Sequence, residues 1–410
     1  SGRPVVVATA TKALQDQLAG KDLPAVARHL PTPITFAVLK GRSNYVCRQR
    51  LDEVDRDQQL SLDGVADTAP EEEIATIVEW AATTTTGDRA EMAFEPSPAA
   101  WSAVSVGARE CPGAQRCPRG ADCFAESARR LAADADVVVT NLHLYGLHLQ
   151  SGGVVLPEHD VVVIDEAHQL EDVIASTFGV DLTAGRFSAL ARTAGAILDD
   201  PDTVAAVEAN GAVLADVLAD HVGRRLRGSL EPDLADALAQ ARIAVGALVG
   251  ALEGLPTDRD DDTGARAIRG VKAAGTLAEE LDAVQRMPDG HVMWVEGPER
   301  SPALRMAPVD VGPALAARLW GEATAVLTSA TVPPAAEARL GIPLDRSTRL
   351  DVGSPFDHEH NAVLYCAAHL PDPREPTWEG AAHAEMLALI EAAGGRTLAL
   401  FTSYRAMDAA

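Results

Sequence analysis

Lysine is almost missing from this chain. Only Lys12, Lys21, Lys40 and Lys272 occur, so arginine supplies nearly all of the 35 basic residues. Acids number 60, and the formal net charge is −25. A surplus of that size speaks against a broad basic face for nucleic acid, although local patches decide binding. The arginine and alanine bias reads as composition without function. Aromatic residues make up only 4% of the chain, which weakens any mode dominated by base stacking. Five cysteines among 410 residues are too few for a disulfide scaffold. No apolar run approaches the roughly 18–20 residues of a bilayer span. No basic, apolar and small-residue opening marks a secretory leader. The expectation is therefore a cytoplasmic globular protein with no membrane partner. At about 150 residues per domain, the length predicts two to four domains.

Five short continuous apolar runs, at 5–9, 137–140, 161–164, 325–328 and 397–401, predict buried parallel strands. Each is followed by polar or small residues and then a helical pattern, the grammar of an α/β fold. Ligands of such sheets bind at the carboxyl ends of the strands. Two long stretches interrupt the pattern. The first, about 41–125, holds four of the five cysteines. Its opening carries Lys40, Arg42, Arg48 and Arg50 without an acid, and residues 52–73 then carry nine acids against Arg56 alone. The second, about 180–300, has helical spacing. Leu214, Val217, Leu218 and Val222 share one face, as do Leu234, Leu238, Val245 and Leu252. Thr276 with Glu279 resembles a capping box ahead of Leu277 and Leu281. Both ends of the sequence lie flush against apolar runs, which predicts a trimmed piece of a longer chain.

The sharpest chemical signal is Val161-Val162-Val163-Ile164-Asp165-Glu166-Ala167-His168. A β-branched run delivers an acidic pair to a strand end. The aspartate can hold a nucleotide's Mg²⁺, the glutamate can activate water, and the histidine can couple the site to a neighbouring loop. The bland alternative is a solvated acidic turn. Cys47, then Cys111, Cys117 and Cys123 in a C-x5-C-x5-C array, offer four thiolates for an iron–sulphur cluster or zinc. Zinc knuckles favour closer C-x2–4-C pairs, so a cluster is the better expectation. Cys366, in an apolar run, is expected in the core. Thr328-Ser329-Ala330-Thr331, Thr9-Ala10-Thr11 with Gln15, and Thr140-Asn141 could present hydroxyls and amides to a phosphate or a nucleic-acid backbone. Each by itself is equally a helix cap or a Ser/Thr turn. Residues 258–264 imitate a calcium loop but hold Thr263 at the glycine position and Arg269 at the final acid, so a solvated loop is expected.

Taken in order, these pieces resemble the DinG/XPD-like iron–sulphur helicases of superfamily 2, the bacterial DinG branch above all. Residues 8–18 are similar to that family's motif Ia. Lys40-Gly41-Arg42-Ser43-Asn44-Tyr45-Val46-Cys47 is similar to its first cluster segment, and Asp165-Glu166-Ala167-His168 to its DEAH box. Residues 328–331 are similar to motif III, Gly353-Ser354-Pro355-Phe356 to a signature beyond it, and Leu400-Phe401-Thr402-Ser403-Tyr404 to motif IV. The resemblance implies a RecA-like parallel-sheet lobe built from 1–40, 125–180 and 300–333. It implies an iron–sulphur domain at 41–124, a helical arch-like insertion at 181–299, and the start of a second RecA-like lobe at 334–410. It implies an ATP-dependent helicase in DNA repair or replication, moving 5′ to 3′ on single-stranded and forked DNA as a monomer.

Carried over residue by residue, Asp165 helps bind Mg²⁺ with ATP, Glu166 activates water, and His168 with Thr328, Ser329, Ala330 and Thr331 couples nucleotide state to DNA grip. Cys47, Cys111, Cys117 and Cys123 ligate a [4Fe–4S] cluster. Thr9, Thr11, Gln15, Arg42, Asn141, Thr402 and Ser403 face DNA, and Arg48 and Arg50 could join Arg42 along the strand's path. Two family elements do not occur in these 410 residues: a G-x-x-x-x-G-K-[ST] phosphate loop and the segment bearing an arginine finger. The chain is therefore expected to be an inactive partial motor when alone, an expectation that robust DNA-stimulated ATP turnover would refute. The alternatives are a non-catalytic iron–sulphur DNA-binding module on a degenerate ATPase fold, and an RNA-directed DEAH ATPase with a zinc insertion.

Overall fold

A computed structural model describes residues 2–60, 69–228, 230–256, 262–332 and 335–410. The calcium-loop mimic at 258–264 lies largely outside the described residues. The nine strands are β1 (Val5–Thr9), β2 (Phe36–Val38), β3 (Val137–Asn141), β4 (Val161–Asp165), β5 (Val180–Thr183), β6 (Arg225–Leu226), β7 (His291–Glu296), β8 (Ala303–Pro308) and β9 (Thr324–Thr328). Five of them form an all-parallel sheet in the order β2-β3-β1-β4-β9. The chain divides into two compact units, residues 1–347 and 348–410.

The parallel sheet forms where the apolar runs predict it. Val6, Ala8, Val138, Val162 and Ile164 are fully buried. Leu142, Tyr145, Leu170, Ile174, Leu315 and Leu319 pack with them into one cluster. β-Branched residues suit pleated strands, but not every run is buried as expected: burial alternates along β4, and β9 is partly exposed, with Val326 at 45%. Strand β2 lies in the short apolar run Phe36-Ala37-Val38-Leu39, which is not among the five runs predicted as strands.

The stretch between β2 and β3 has its own small core. Tyr45, Val46, Ile77, Trp101, Val104 and Phe124 are buried together. Trp101 donates its Nε1 hydrogen to the carbonyl of Ser43 at 2.7 Å, which satisfies the one polar atom of a buried indole.

The stretch after β4 holds the largest cluster. Four long helices, Ala184–Gly195, Pro201–Ala219, Pro232–Glu253 and Asp262–Arg286, bury Leu214, Leu218, Leu234, Leu238, Val245, Leu252, Leu277 and Leu281. Pro232–Glu253 is apolar and long enough to cross a bilayer. Its Leu234, Leu238, Val245 and Leu252 are instead fully buried in this cluster. Two expectations need correction here. The region is not purely helical: β5, β8, β7 and β6 form an antiparallel sheet in that order. Leu182, Met293, Val295, Leu304 and Met306 from that sheet enter the helical core. The Thr276–Glu279 pair caps nothing, because one helix runs unbroken from Asp262 to Arg286. The apolar stripe through Ala265, Ala274, Leu277 and Leu281 keeps the chain helical across it.

In the unit 348–410, no strand forms at 397–401, and Leu398 and Leu400 are 84% and 85% exposed. Cys366 is also exposed rather than in a core. A parallel strand needs a neighbour to satisfy its amides, and none lies beside this run within the unit. Helix Trp378–Ala392 buries none of its residues.

These placements generate a contrast. Leu238→Ala in the helical cluster should cost about 2–5 kcal/mol. Val363→Ala, at 94% exposure, should stay within about 0.5 kcal/mol. Urea unfolding followed by circular dichroism measures both. Equal losses would contradict this assignment of the core.

Candidate functional site

The parallel register brings four side chains of interest to one edge of the sheet. Thr9 pairs with Asn141, and Asp165 pairs with Thr328. These are the last residues of β1, β3, β4 and β9. The Thr328 hydroxyl donates to Asp165 Oδ1 at 3.0 Å. That bond fixes the carboxylate's orientation and leaves lone pairs for a hard cation, which takes oxygen ligands.

The next residue, Glu166, leaves the strand with φ 53° and ψ 45°. It is one of two non-glycine residues with positive φ among the described residues, Met287 being the other. Left-handed backbone costs an ordinary residue roughly 1–2 kcal/mol. Such strain concentrates where a side chain must be aimed. The turn sets Glu166 Oε2 3.2 Å from His168 Nδ1, and that nitrogen lies 3.0 Å from Ser329 Oγ. Ser329 in turn donates to the carbonyl of Thr331 at 3.0 Å. Asp165, Glu166 and His168 are thus joined to Thr328, Ser329 and Thr331 by side-chain contacts, with Ala330 inside the same turn. No sequence period could specify this, since the partners lie about 160 residues apart.

The residues proposed from sequence to face DNA fare differently. Thr11 caps helix Lys12–Gln17 by accepting from the Leu14 amide at 3.2 Å. Asn141 caps Leu142–Gln150 by accepting from the Leu144 amide at 2.7 Å. Thr9 and Gln15 are fully buried, which withdraws them from a surface that a phosphate backbone could touch. Among the described residues, neither polar atom of the Gln15 side chain has a hydrogen-bond partner. Ser403 caps Tyr404–Ala409 through the Ala406 amide at 3.2 Å, and Thr402 precedes it on the surface of the separate unit 348–410.

The three arginines near Cys47 are engaged within the insertion rather than free along a groove. Arg42 pairs with Glu126. The Arg48 guanidinium stacks 4.1 Å from the Phe124 ring centre. Arg50 donates to the Ala103 carbonyl at 2.9 Å and pairs with Glu53 at 3.3 Å.

Cys47, Cys111, Cys117 and Cys123 line one pocket, whose walls include Arg42, Pro112, Pro118, Gly120 and Arg269. None of the four is in a disulfide. Gly120 is required there, because a Cβ on it would sit 2.0 Å from the Ala114 carbonyl oxygen. Burial pushes the Cys47 thiol up to about 12, against a partial lowering by the Arg50 backbone and Arg269. Burial likewise raises Cys117. A tetrahedral zinc, with Zn–S near 2.3 Å, needs sulfurs about 3.8 Å apart. Among the described residues, no three of these sulfurs fall within 4.8 Å of one another. Four thiols around one pocket could together hold a metal or a metal–sulphur group.

Sequence reasoning missed Glu53 and Arg269. They form a buried two-bond pair, Nη1–Oε1 2.5 Å and Nη2–Oε2 2.8 Å. The partners are 216 residues apart, so no local pattern could reveal it. Lys40, nearly buried, similarly pairs with Asp88 at 2.6 Å.

No protein-family profile matches the chain. It is 38% identical over 439 aligned residues to the ATP-dependent helicase DinG of Mycobacterium tuberculosis, covering 99% of this chain and 65% of that protein. It is 30% identical to the ATP-dependent DNA helicase YoaA of Escherichia coli, with the same 99% and 65% coverage. The 3′-5′ exonuclease DinG of Bacillus subtilis is 31% identical over 44% of this chain. The chain thus spans about two thirds of the length of the first two relatives. A solved XPD helicase matches 83% of this chain at 13% identity and a TM-score of 0.43.

The thiol environment gives a pH dependence. In metal-free chain, alkylation of Cys47 should rise about tenfold per pH unit from neutral pH up to about 12. Exposed Cys366 should react first. Mass-spectrometric alkylation rates measure this, and a plateau of Cys47 reactivity near pH 9 would contradict the buried placement.

Proposed function

We propose that this chain, 38% identical to a DinG helicase over 65% of that protein's length, is the nucleotide-hydrolysing and cluster-bearing part of a DinG-like ATP-dependent helicase. The proposed substrate is single-stranded and forked DNA, travelled 5′ to 3′ by a cytoplasmic monomer. The observation that carries the reading is the linked edge Asp165–Thr328 and Glu166–His168–Ser329 at the ends of β4 and β9. In this reading Asp165 holds Mg²⁺ of bound ATP through its carboxylate, an arrangement this cation favours. The metal would neutralise charge on the transferring phosphoryl group. Glu166 orients and deprotonates the attacking water. His168 Nδ1 lies within reach of both Glu166 and Ser329, so in this reading a change at the phosphates can reach the loop at 328–331. Thr11, Asn141, Thr402 and Ser403 are the remaining proposed backbone contacts, and Arg42 belongs to the cysteine pocket instead.

The four cysteines would hold a [4Fe–4S] cluster, supported by their lining one common pocket. The cluster is proposed to stiffen the insertion that meets the duplex. The domain reading follows the three apolar clusters of residues 1–347. The helical insertion is proposed as the arch-like element, now with its antiparallel sheet included.

Two outcomes test this reading. Glu166→Gln in the whole protein should lower DNA-stimulated ATP turnover by roughly 10²–10⁴ while nucleotide binding persists. A variant with unaltered turnover would remove Glu166 from the chemistry. Protein purified without oxygen should contain iron and sulphide, and both should be lost together in Cys117→Ser. Zinc alone in the unaltered protein would overturn the cluster.

A further inference from the structure

The pocket lined by the cysteines is not closed by its own insertion. Ala265 and Arg269, both on helix Asp262–Arg286 of the helical insertion, form part of its wall. Arg269 is 5% exposed and grips Glu53, which is 2% exposed and lies on helix Arg48–Leu60, six residues beyond Cys47. The same long helix makes a second contact with the cysteine loop, where Arg109 pairs with Glu280 at 3.1 Å. Two ion pairs and a shared wall therefore tie the helix to the segment that carries the thiols.

We infer that Arg269 is a positioning residue for the group held by the four cysteines, and that loading this pocket is thermodynamically linked to docking of helix Asp262–Arg286. The inference rests on the proposed cluster reading. The physical argument has two parts. Loading requires thiolates, and negative charge in a poorly solvated pocket is favoured by a fixed guanidinium at its wall. Arg269 is held there by a carboxylate that satisfies two of its N–H groups, so its position is set rather than averaged. Linkage is reciprocal: a helix that stabilises the loaded pocket must itself be stabilised by loading. The cluster site and the helical insertion then act as one cooperative unit, although neither sequence segment contains the other.

The experiment uses the full chain purified without oxygen. Iron and sulphide are measured first. Their absence overturns the cluster reading and this inference with it. In loaded protein, amide hydrogen exchange is followed with and without removal of iron by chelator. Residues 264–277 should exchange at least about fivefold faster after stripping, the lower end of common coupling factors, while β1 and β4 keep their protection. The second arm is the double variant Glu53→Gln/Arg269→Gln, which removes both charges of the buried pair together. It should release iron to chelator at least about fivefold faster than the unaltered chain. Equal protection of 264–277 before and after stripping would overturn the linkage while leaving the cluster in place. An unaltered release rate in a folded double variant would remove Arg269 from its role. If that variant does not fold, the exchange measurement decides.

Discussion

The side-by-side pairing of β1 with β3 and β4, and of β4 with β9, is the constraint on which everything else depends. It ends four strands at one level and sets Thr9, Asn141, Asp165 and Thr328 along a single edge. Both insertions are loops closed by that pairing. The first leaves after β2 and returns before β3, and the second leaves after β4 and returns before β9. Loop-closure entropy grows only with the logarithm of length. A sheet stabilised by Val6, Val138, Val162 and Ile164 can therefore carry large excursions, provided each has a core of its own. Each does.

The chemistry at the sheet edge is local in sequence but its control is not. Asp165 and Glu166 arrive together at the end of β4, with Glu166 in a left-handed conformation that ordinary residues avoid. Their partners Thr328 and Ser329 arrive from the far side of the helical insertion. The two insertions are themselves joined by Glu53–Arg269. Removing one partner of a buried pair leaves an uncompensated charge, so neither residue can change alone without cost.

The chain is acidic and poor in aromatic residues, and its few basic clusters are the places where composition departs from that average. Arg42, Arg48 and Arg50 looked like a basic track in sequence. In the structure they serve the insertion's own packing through Glu126, Phe124, Ala103 and Glu53. A charge run identifies residues that want partners, and it does not say whether the partners are phosphates or carboxylates of the same chain.

The sequence by itself determined the parallel strands β1, β3, β4 and β9, because β-branched runs without polar interruption have few other homes. It also determined the helical faces at Leu234, Leu238, Val245 and Leu252, and the acidic pair closing β4. Only the tertiary structure decided the rest. The antiparallel sheet β5-β8-β7-β6 is built of short strands whose stability comes from packing on helices, so their sequences carry little period. Thr276 and Glu279 match a cap motif, yet the apolar stripe of the helix around them overrides that local preference. Thr9 sits under the surface because β1 is a central strand, and Gln15 is buried on the helix that follows it. The convergence of four cysteines with Arg269 depends on two insertions meeting, a long-range contact that no window of sequence encodes.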